Sequence, residues 1–304
     1  MAKTGYVYRE EYLRHFAGPH HPERPERLRA VHDALGHAEL PLVEIHCEPA
    51  SREALLRVHS EEHITTIERT CREELTYPEP DTSMGASSWN AALLAAGGCI
   101  AACRAVLEKR VDNAFCAMRP PGHHAEHDHA RGFCLFNNIA IAGRWLQAAK
   151  GVQRIAIVDW DVHHGNGTQQ AFYDDSSVYY GSIHQYPLYP GTGRPEERGA
   201  ENTNLNIPMA PDTGPDAWLN AIETKILPEL RRFEPEFLLM SAGFDGHRLE
   251  PLAQQRLESA TFGEITRQLL SLDVRAVVSV LEGGYNLEAL GESVVEHVKA
   301  LNDA

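Results

Sequence analysis

The chain is poor in several features that would assign it to a class at once. Lys and Arg number 28 against 43 Asp and Glu, a formal net charge of −15, so the chain lacks the positive charge that binds a nucleic-acid backbone. The 6 cysteines have no CxxC spacing and lie in mostly apolar surroundings, which predicts reduced core residues. No apolar stretch of bilayer-spanning length is evident, and residues 1–6 lack the charged-then-apolar profile of a secretory signal. These absences predict a cytoplasmic protein that binds neither nucleic acid nor membrane.

Short apolar runs that alternate with helical patterns are the main feature that is present. With 43% hydrophobic residues and no repeat or linker, they predict one α/β domain over residues 1–304. Because such runs are typical of βα units, we expect a mostly parallel sheet flanked by helices. The predicted strands are 5–8, 42–46, 113–118, 154–159, 178–183, 203–207, 236–241 and 276–281. The predicted helices are 87–109, 138–149, 215–232, 254–272 and 287–301.

Three segments are expected to be loops. Residues 76–86 and 185–202 are rich in turn-forming residues and are placed where an open α/β sheet binds ligands. Residues 22–27, PERPER, are expected to form a rigid N-terminal loop in which Arg24 or Arg27 pairs with a carboxylate.

The most informative stretch is 159–168, DWDVHHGNGT, directly after an apolar run. Side chains two apart on an extended chain point the same way, so Asp161 and His163 can bind one ion. Asp245 follows another predicted strand, where a buried carboxylate is costly unless a cation compensates it. Two carboxylates and an imidazole that leave a coordination position open suit a catalytic zinc ion. The sequence therefore predicts one metal site at the carboxyl ends of the strands.

Two adjacent histidines, His123 and His124, follow the predicted strand 113–118 in the segment RPPGHHA. Asp159 and Asn166, in the stretch 159–168, can each accept a hydrogen bond from one imidazole. A carboxylate partner holds an imidazole cationic, whereas an amide partner leaves it closer to neutral and able to take a proton from water. Unequal partners therefore predict unequal roles for the two histidines.

Tyr285 follows two glycines after the predicted strand 276–281. Because glycines permit a close approach or a positive φ, the phenol can be aimed at the metal and donate to a developing oxyanion. A metal-activated water, a histidine base and a phenol that helps the metal to polarise a carbonyl predict hydrolysis of an amide or ester by one divalent ion.

These residues resemble the motifs of the histone deacetylase family, particularly its class II-like bacterial homologues and the acetylpolyamine amidohydrolases. The likeness covers nearly the whole chain. Its motifs, in family order, are HHPERPERL from His20, RPPGHHA from Arg119, GFCLFNN from Gly132, DWDVHHGNGT from Asp159, SIHQYPLYPGTG from Ser182, SAGFD from Ser241 and EGGY from Glu282. The resemblance implies the three-layer arginase/deacetylase-type α/β fold, with a mostly parallel eight-stranded sheet.

The resemblance also implies roles for single residues. The positions that match the family's catalytic zinc ligands are Asp161, His163 and Asp245. His124 matches its general base, and His123 matches an electrostatic partner or general acid. Tyr285 matches its oxyanion stabiliser. Asp159 and Asn166 complete the predicted catalytic set as partners of the histidines, and Asn166 stands where class I members carry Asp.

A tunnel for an acyl-lysine and a second, structural cation are further implications of the resemblance. The expected substrate-binding positions are Asp81, Gly132, Phe133, Tyr189 and Leu252. Phe133 and Tyr189 match the aromatic walls of the tunnel, whereas Asp81 is either a carboxylate that holds the substrate backbone or a turn-forming residue. The positions that match potassium ligands are Asp159, Asp161, His163, Ser182 and Ile183.

The sequence leaves three functions open: a zinc-dependent deacetylase of acetyl-lysine in proteins or peptides, an amidohydrolase of small acetylated amines such as polyamines, and a non-catalytic acyl-lysine binder. The phenol of Tyr285 disfavours the binder. Leu252 is apolar where relatives tuned to polyamines carry an acidic gatekeeper, which favours lysine-like substrates. Gly165 stands where the dinuclear manganese ureohydrolases carry an Asp for a second metal, so we expect one catalytic ion. Ferrous iron in place of zinc, and a homo-oligomer, stay open.

Overall fold

Eight strands form one sheet in the computed structural model, which describes residues 2–274 and 276–304. The strands are β1 Thr4–Val7, β2 Leu42–Glu44, β3 Asn113–Cys116, β4 Ile155–Asp159, β5 Val178–Gln185, β6 Asn204–Met209, β7 Phe237–Ala242 and β8 Val277–Leu281. Their spatial order is β2-β1-β3-β8-β7-β4-β5-β6, and every pairing is parallel. The predicted α/β fold with an eight-stranded sheet is confirmed.

Helices flank the sheet on the segments that connect its strands. Among the described residues these are α1 Glu26–His37, α2 Arg52–Leu56, α3 Glu61–Arg72, α4 Ser88–Leu107, α5 Asn138–Lys150, α6 Asn166–Phe172, α7 Pro215–Ala221, α8 Leu227–Phe233, α9 Ser259–Leu270 and α10 Leu287–Asn302. Helix α4 packs with α3 and α5 and lies on β1, β3 and β8, whereas α10 packs with α9 and α1. The strands β3, β4, β7 and β8 are completely buried, as parallel strands covered by helices are.

Asparagine side chains cap the N-termini of helices α5 and α10. The Asn137 side chain accepts a hydrogen bond from the Ala140 N–H at the start of α5, and the Asn286 side chain accepts one from the Ala289 N–H at the start of α10. Helix α5 ends at Gly151 in the left-handed conformation, with φ 68°. These caps fix where the loops before each helix end.

Two predicted helices are shorter or less regular than expected. The helix expected over 254–272 begins only at Ser259, and the residues before it bond elsewhere, since Gln254 and Gln255 donate to the Gln185 side chain at the end of β5. The helix expected over 215–232 contains a π-helical turn at Ile222–Ile226 between α7 and α8. Pro228 follows that turn and has no N–H to donate back into it, which accounts for the break in the α-helical ladder.

Helices α1, α2, α3 and α6 are absent from the sequence-based prediction. The loop expected over 22–27 is wrong at its end, since α1 begins at Glu26. Leu28, Val31 and Leu35 are buried at helical spacing on α1, a signal that the sequence contained. The proposed pairing of Arg27 with a carboxylate is present, because its guanidinium donates to Glu23 at 3.0 Å.

Helix α4 corrects the expectation that no apolar stretch has bilayer-spanning length. By length and composition it is apolar enough to cross a membrane, but 72% of its apolar window is buried inside the fold. Core helices pass the same test, so the feature alone is weak evidence of a membrane segment. The cysteines agree with the prediction, since Cys47, Cys71, Cys99, Cys103, Cys116 and Cys134 are all free and buried.

Candidate active site

The sheet order brings four motif-bearing strand ends together. Strands β3, β8, β7 and β4 are consecutive neighbours and run in the same direction. The segments RPPGHHA, EGGY, SAGFD and DWDVHHGNGT lie at their carboxyl ends in that order, the last two beginning within the final residues of their strands. Segments that are more than 100 residues apart in sequence, such as Gly122 and Glu282, are therefore in hydrogen-bond contact.

Three buried side chains at these ends can share one metal ion. Asp161 and His163 follow β4, Asp245 follows β7, and their ligand atoms lie within 4.8 Å of one another. The His163 Nδ1 lies 3.1 Å from Asp161 Oδ1 and 3.1 Å from Asp245 Oδ2. We call these three residues the metal cluster, because two carboxylates and an imidazole are a donor set that suits a divalent ion such as zinc.

Backbone amides orient both carboxylates of the metal cluster. Asp161 accepts hydrogen bonds from the N–H of His163 at 2.9 Å and of Gly283 at 2.7 Å. Asp245 accepts one from the N–H of Val162 at 2.9 Å. Because the turns of the chain fix these donors, the hydrogen bonds orient both carboxylates.

Burial and mutual charge determine the ionisation of the metal cluster. Burial opposes charge on Asp161, but His123 and His163 hold the pKa of that carboxyl below its ordinary value. Burial and the charge of Asp161 raise the pKa of Asp245 to about 6. Burial alone would lower the pKa of His163, but Asp161 and Asp245 raise it to about 10. Among the described residues, only histidine nitrogens form ion pairs with these two carboxylates, so a protonated histidine or a bound cation must balance them.

The two adjacent histidines meet the two partners predicted for them. The His123 Nδ1 lies 3.0 Å from Asp159 Oδ2, which also accepts a hydrogen bond from the Tyr180 hydroxyl at 3.0 Å. The His124 Nδ1 lies 2.7 Å from Asn166 Oδ1. The two rings are 4.0 Å apart between centroids and are almost fully buried.

The pKa values of the two histidines differ in the predicted direction, although the low pKa of His124 has a different cause from the one expected. Burial would lower the pKa of His123, but the charges of Asp161 and Asp159 raise it to about 10. Burial lowers the pKa of His124 well below its ordinary value, and the neighbouring His123 and His163 lower it further. The low pKa of His124 therefore arises from burial and adjacent positive charge, not from the amide partner.

Two glycines let the chain pass close to the histidine pair. A Cβ at Gly165 would lie 2.3 Å from Asp159 Oδ2 and 2.6 Å from the Tyr180 hydroxyl. A Cβ at Gly167 would lie 2.1 Å from the Ala125 carbonyl oxygen. Position 165 therefore has no room for the second-metal Asp of ureohydrolases unless Asp159 moves.

A pocket of ≈ 230 Å³ opens above the metal cluster. It is lined by Asp81, His124, Gly132, Phe133, His163, Leu188, Tyr189, Leu252 and Tyr285. The five positions expected to bind substrate all lie in this lining, together with one residue of the metal cluster. Their role in substrate binding stays a prediction.

Aromatic rings form the walls of the pocket. Phe133 meets Tyr285 edge to face at 5.7 Å between centroids, and Tyr189 meets His124 in the same way at 5.1 Å. Gly132 has a φ of 55°, and a Cβ there would lie 2.4 Å from His124 Cδ2, so only glycine fits without moving the ring. This close approach explains why the glycine precedes Phe133.

The turn-forming role expected for Asp81 is present, whereas its role in holding the substrate backbone stays a prediction. Its carboxylate accepts hydrogen bonds from the Thr82 hydroxyl at 2.7 Å and from the Gly132 N–H at 3.2 Å. The first bond belongs to a local turn, while the second ties the loop 76–86 to the pocket wall.

Tyr285 lies at the pocket floor with a buried ring. The Arg27 guanidinium carbon is 4.8 Å from the centroid of that ring, and the Tyr285 N–H donates to Glu250 at 2.9 Å. Burial raises the pKa of the phenol well above its ordinary value, so the hydroxyl keeps its proton and can donate it in a hydrogen bond.

Glu282, Glu126 and Leu188 were not predicted as site residues. Glu282 accepts hydrogen bonds from the N–H groups of Gly122 and His123 at 2.8 and 3.2 Å, which fixes the backbone of the histidine pair. Burial raises the pKa of Glu282 to about 7. A carboxylate directly after a buried strand was the available signal for Glu282, as it was for Asp245. Glu126 and Leu188 carry no such signal.

The positions expected to bind potassium adjoin the metal cluster. Asp159 and Ser182 are paired on β4 and β5, and the Ser182 hydroxyl lies 2.9 Å from His184 Nδ1. Ile183 follows on the same strand. The bound ion itself stays a prediction.

Known proteins share both the sequence and the fold. The family described as Histone deacetylase domain matches residues 21–301. A "Probable deacetylase" from Archaeoglobus fulgidus is 43% identical over 94% of this chain and 82% of its own length. A "Histone deacetylase-like amidohydrolase" from Pseudomonas aeruginosa is 36% identical over 99% of this chain and 87% of its own length. The crystal structure of the HDA15 HD domain is 37% identical and has a TM-score of 0.93, covering 99% of this chain and 91% of that one.

Sequence, fold and site thus agree, because the family match includes all four motif-bearing strand ends. Relatives that share over a third of its residues are named as deacetylases or amidohydrolases. The chain belongs to the histone deacetylase family of deacetylases and amidohydrolases.

Proposed function

We propose that this protein is a zinc-dependent hydrolase that removes acetyl groups from lysine-like amines. The observation that carries the proposal is that His163 of the metal cluster, His124 and Tyr285 line one aromatic-walled pocket. An ion site, a base and an oxyanion donor are the three groups that amide hydrolysis by one divalent ion requires.

The donor set of the metal cluster fits zinc. Asp161, His163 and Asp245 provide two carboxylate oxygens and one imidazole nitrogen in a buried site, and a fourth position would face the pocket. When bound, the ion would supply Lewis acidity at the amide carbonyl and lower the pKa of a water molecule. Ferrous iron accepts the same ligands and is the alternative.

His124 is proposed as the general base. Its Nδ1 faces Asn166, so its Nε2 carries the lone pair that can take a proton from water in the pocket. Its depressed pKa keeps the ring neutral and ready to accept. His123, whose pKa Asp161 and Asp159 raise despite burial, would remain cationic and stabilise negative charge that develops nearby.

Tyr285 is proposed to donate a hydrogen bond to the oxyanion. Its neutral phenol lines the pocket, and Arg27 and Glu250 hold its ring and backbone. A donor fixed in this way needs no reorganisation as charge develops on the carbonyl oxygen.

The pocket walls favour an extended aliphatic chain. Phe133 and Tyr189 would flank the methylene groups of an acetyl-lysine, and Asp81 at the rim would accept a hydrogen bond from the substrate backbone. Leu252 places an apolar group where a polyamine's second cation would need a carboxylate. These features favour acetyl-lysine over acetylated polyamines.

A single set of assays tests the proposal. The protein would be stripped with a chelator, reconstituted with zinc or ferrous iron, and assayed on an acetyl-lysine peptide, acetylputrescine and acetylspermidine. We expect turnover only with metal and the highest kcat/KM on the peptide. Full turnover by the stripped protein would contradict the metal-dependent mechanism, and a clear preference for the polyamines would identify the protein as a small-molecule amidohydrolase.

A structural potassium ion is a separate part of the proposal. Side-chain and carbonyl oxygens of the adjoining strand ends at Asp159 and Ser182 are ligands that a monovalent cation accepts. Exchange of potassium for tetramethylammonium should lower the thermal unfolding temperature of the wild-type protein, and an unchanged temperature would argue against the ion.

A further inference from the structure

The side-chain amide of Asn166 has acceptors on its nitrogen side. Its Oδ1 lies 2.7 Å from His124 Nδ1, while its Nδ2 donates to Glu126 Oε1 at 2.5 Å and to the His124 carbonyl oxygen at 3.3 Å. A carboxylate and a carbonyl only accept hydrogen bonds. The amide therefore has one orientation in which all of its bonds are satisfied.

We propose that Glu126 is a positioning residue that sets the tautomer of His124 by fixing the amide of Asn166. This inference rests on the proposed role of His124 as general base. With Nδ2 directed to Glu126, Oδ1 must accept a proton from His124 Nδ1, so the neutral ring carries its lone pair on Nε2. Glu126 itself is absent from the pocket lining, which is why it acts through Asn166 and not on the substrate.

The opposite orientation of the amide would inactivate the base. Oδ1 of Asn166 would then face the carboxylate of Glu126, and Nδ2 would donate to His124 Nδ1. The proton of the neutral ring would move to Nε2, which could no longer take a proton from water. Glu126 prevents this because its oxygens repel an amide oxygen and attract an amide N–H.

The carboxylate of Glu126 is held by its neighbours. Arg131 Nη1 lies 3.4 Å from Glu126 Oε1, and the backbone N–H of Glu126 donates to the His129 carbonyl oxygen at 2.9 Å. Arg131 also donates through Nε to the hydroxyl of Tyr189 at 3.2 Å. One arginine thus connects Glu126 with the pocket wall, so the carboxylate is fixed relative to both the base and the substrate channel.

The first test is the isosteric variant Glu126→Gln. A Gln side chain has nearly the same shape but can either donate or accept, so only the longer bond from Asn166 Nδ2 to the His124 carbonyl, at 3.3 Å, still favours one orientation of the Asn166 amide. Because residues that orient a catalytic ligand contribute about 10–100-fold, we expect kcat on an acetyl-lysine peptide to fall about tenfold with KM within about twofold. The matched control is Glu264→Gln, whose carboxylate binds Arg267 at 2.9 Å on the exposed face of α9 and should leave kcat unchanged. Thermal unfolding of both variants excludes a folding defect.

The second test reverses the sign of the effect. In an Asn166→Asp background two carboxylates face each other, since no amide remains to be oriented. Glu126→Gln in that background removes the repulsion and supplies a donor, so kcat should rise, whereas it falls in the wild-type background. A residue that only supports the local fold would lower kcat in both backgrounds, and that result would overturn the inference.

A readout independent of turnover separates this inference from the proposed function. The ¹⁵N shifts of the histidine rings in the metal-loaded protein, assigned with His124→Ala, should show the Nδ1–H tautomer at His124 in the wild type and a mixture in Glu126→Gln. Absence of turnover in the wild type would contradict the proposed function, and the tautomer would still decide the role of Glu126. An Nε2–H tautomer in the wild type, or the same tautomer in both proteins, would overturn the inference.

Discussion

Two clusters of buried charge lie on the same side of this fold, and different groups balance them. In the arginine cluster, Glu23 accepts hydrogen bonds from Arg27 at 3.0 Å and from Arg119 at 2.5 and 2.7 Å. In the metal cluster, Asp161 and Asp245 meet only histidine as an ion-pair partner among the described residues. All of these side chains are almost completely buried.

The difference in counter-charge distinguishes a structural ion cluster from a candidate metal site. A guanidinium is charged at every relevant pH, so the arginine cluster is balanced by the chain itself. Burial would raise the pKa of Glu23, yet Arg119 and Arg27 lower it to about 2. An imidazole, unlike a guanidinium, has a nitrogen lone pair once its proton is released, so a metal ion can take the place of that proton in the metal cluster. The lack of a permanent cation beside Asp161 and Asp245 is therefore consistent with the metal site proposed there.

The two clusters are also connected through the backbone. Arg27 donates through Nε to the Gly284 carbonyl at 2.6 Å and through Nη2 to the Glu282 carbonyl at 2.5 Å. The turn that carries Tyr285 is thus fixed from the arginine cluster. This arrangement predicts that damage to the arginine cluster lowers stability first and activity only as a consequence.

Removal of a metal ligand should give the largest effect. Asp161→Ala leaves two ligands, so activity on an acetyl-lysine peptide should fall by at least about 10³-fold, because the ion supplies several kcal/mol of transition-state stabilisation. Zinc should raise the thermal unfolding temperature of the wild type and have no such effect on the variant. If zinc stabilised Asp161→Ala as it stabilises the wild type, the metal cluster would not be the metal site, and the contrast with the arginine cluster would fail.

A break in the arginine cluster should act on stability. Glu23→Gln leaves two buried guanidinium groups without their counter-charge, at a cost of about 3–5 kcal/mol in the free energy of unfolding. Glu26→Gln removes an exposed partner of Arg29, 3.0 Å apart, and should cost under about 1 kcal/mol. Urea titration measures both, and equal costs would show that burial does not distinguish the two ion pairs.

Loss of the Tyr285 hydroxyl should act on catalysis without disturbing either cluster. Tyr285→Phe removes one donor to the oxyanion, so kcat should fall by about 10²–10³-fold with KM nearly unchanged. The unfolding temperature should stay close to that of the wild type, since Arg27 still stacks on the ring. A change confined to KM would indicate that the phenol binds substrate and does not stabilise the transition state.

Acid should weaken the arginine cluster in a defined pH range. The pKa of Glu23 is about 2 in the folded protein against an ordinary 4.5, so its contribution is present above pH 4.5 and is lost as the pH falls towards 2. By linkage, the difference in unfolding free energy between wild type and Glu23→Gln should shrink by about 2 kcal/mol from pH 5 to pH 3. Urea titrations at these two pH values measure it, and a constant difference would show that Glu23 titrates normally in the folded state.

Local patterns accounted for most of the sheet and for the metal cluster. The central strands β4, β7 and β8 are completely buried and mostly apolar, so they are recognisable in the sequence because both faces of a parallel strand are covered. Asp161 and His163 are two residues apart in the segment that follows β4, so their closeness was visible in the sequence, whereas Asp245 comes from the end of β7. The short helices α2 and α6 have too few turns to show a helical pattern, and the π-helical turn depends on how Pro228 disturbs its neighbours.

The sequence by itself determined which strand ends carry reactive side chains, since each motif directly follows an apolar run. Only the tertiary structure decided which groups neutralise and orient these side chains. Glu126 lies 40 residues from Asn166, and Arg27 lies 257 residues from Gly284, so no spacing rule connects them. The parallel sheet brings these distant segments to one edge, where a hydrogen bond from one segment fixes the orientation of a side chain in another.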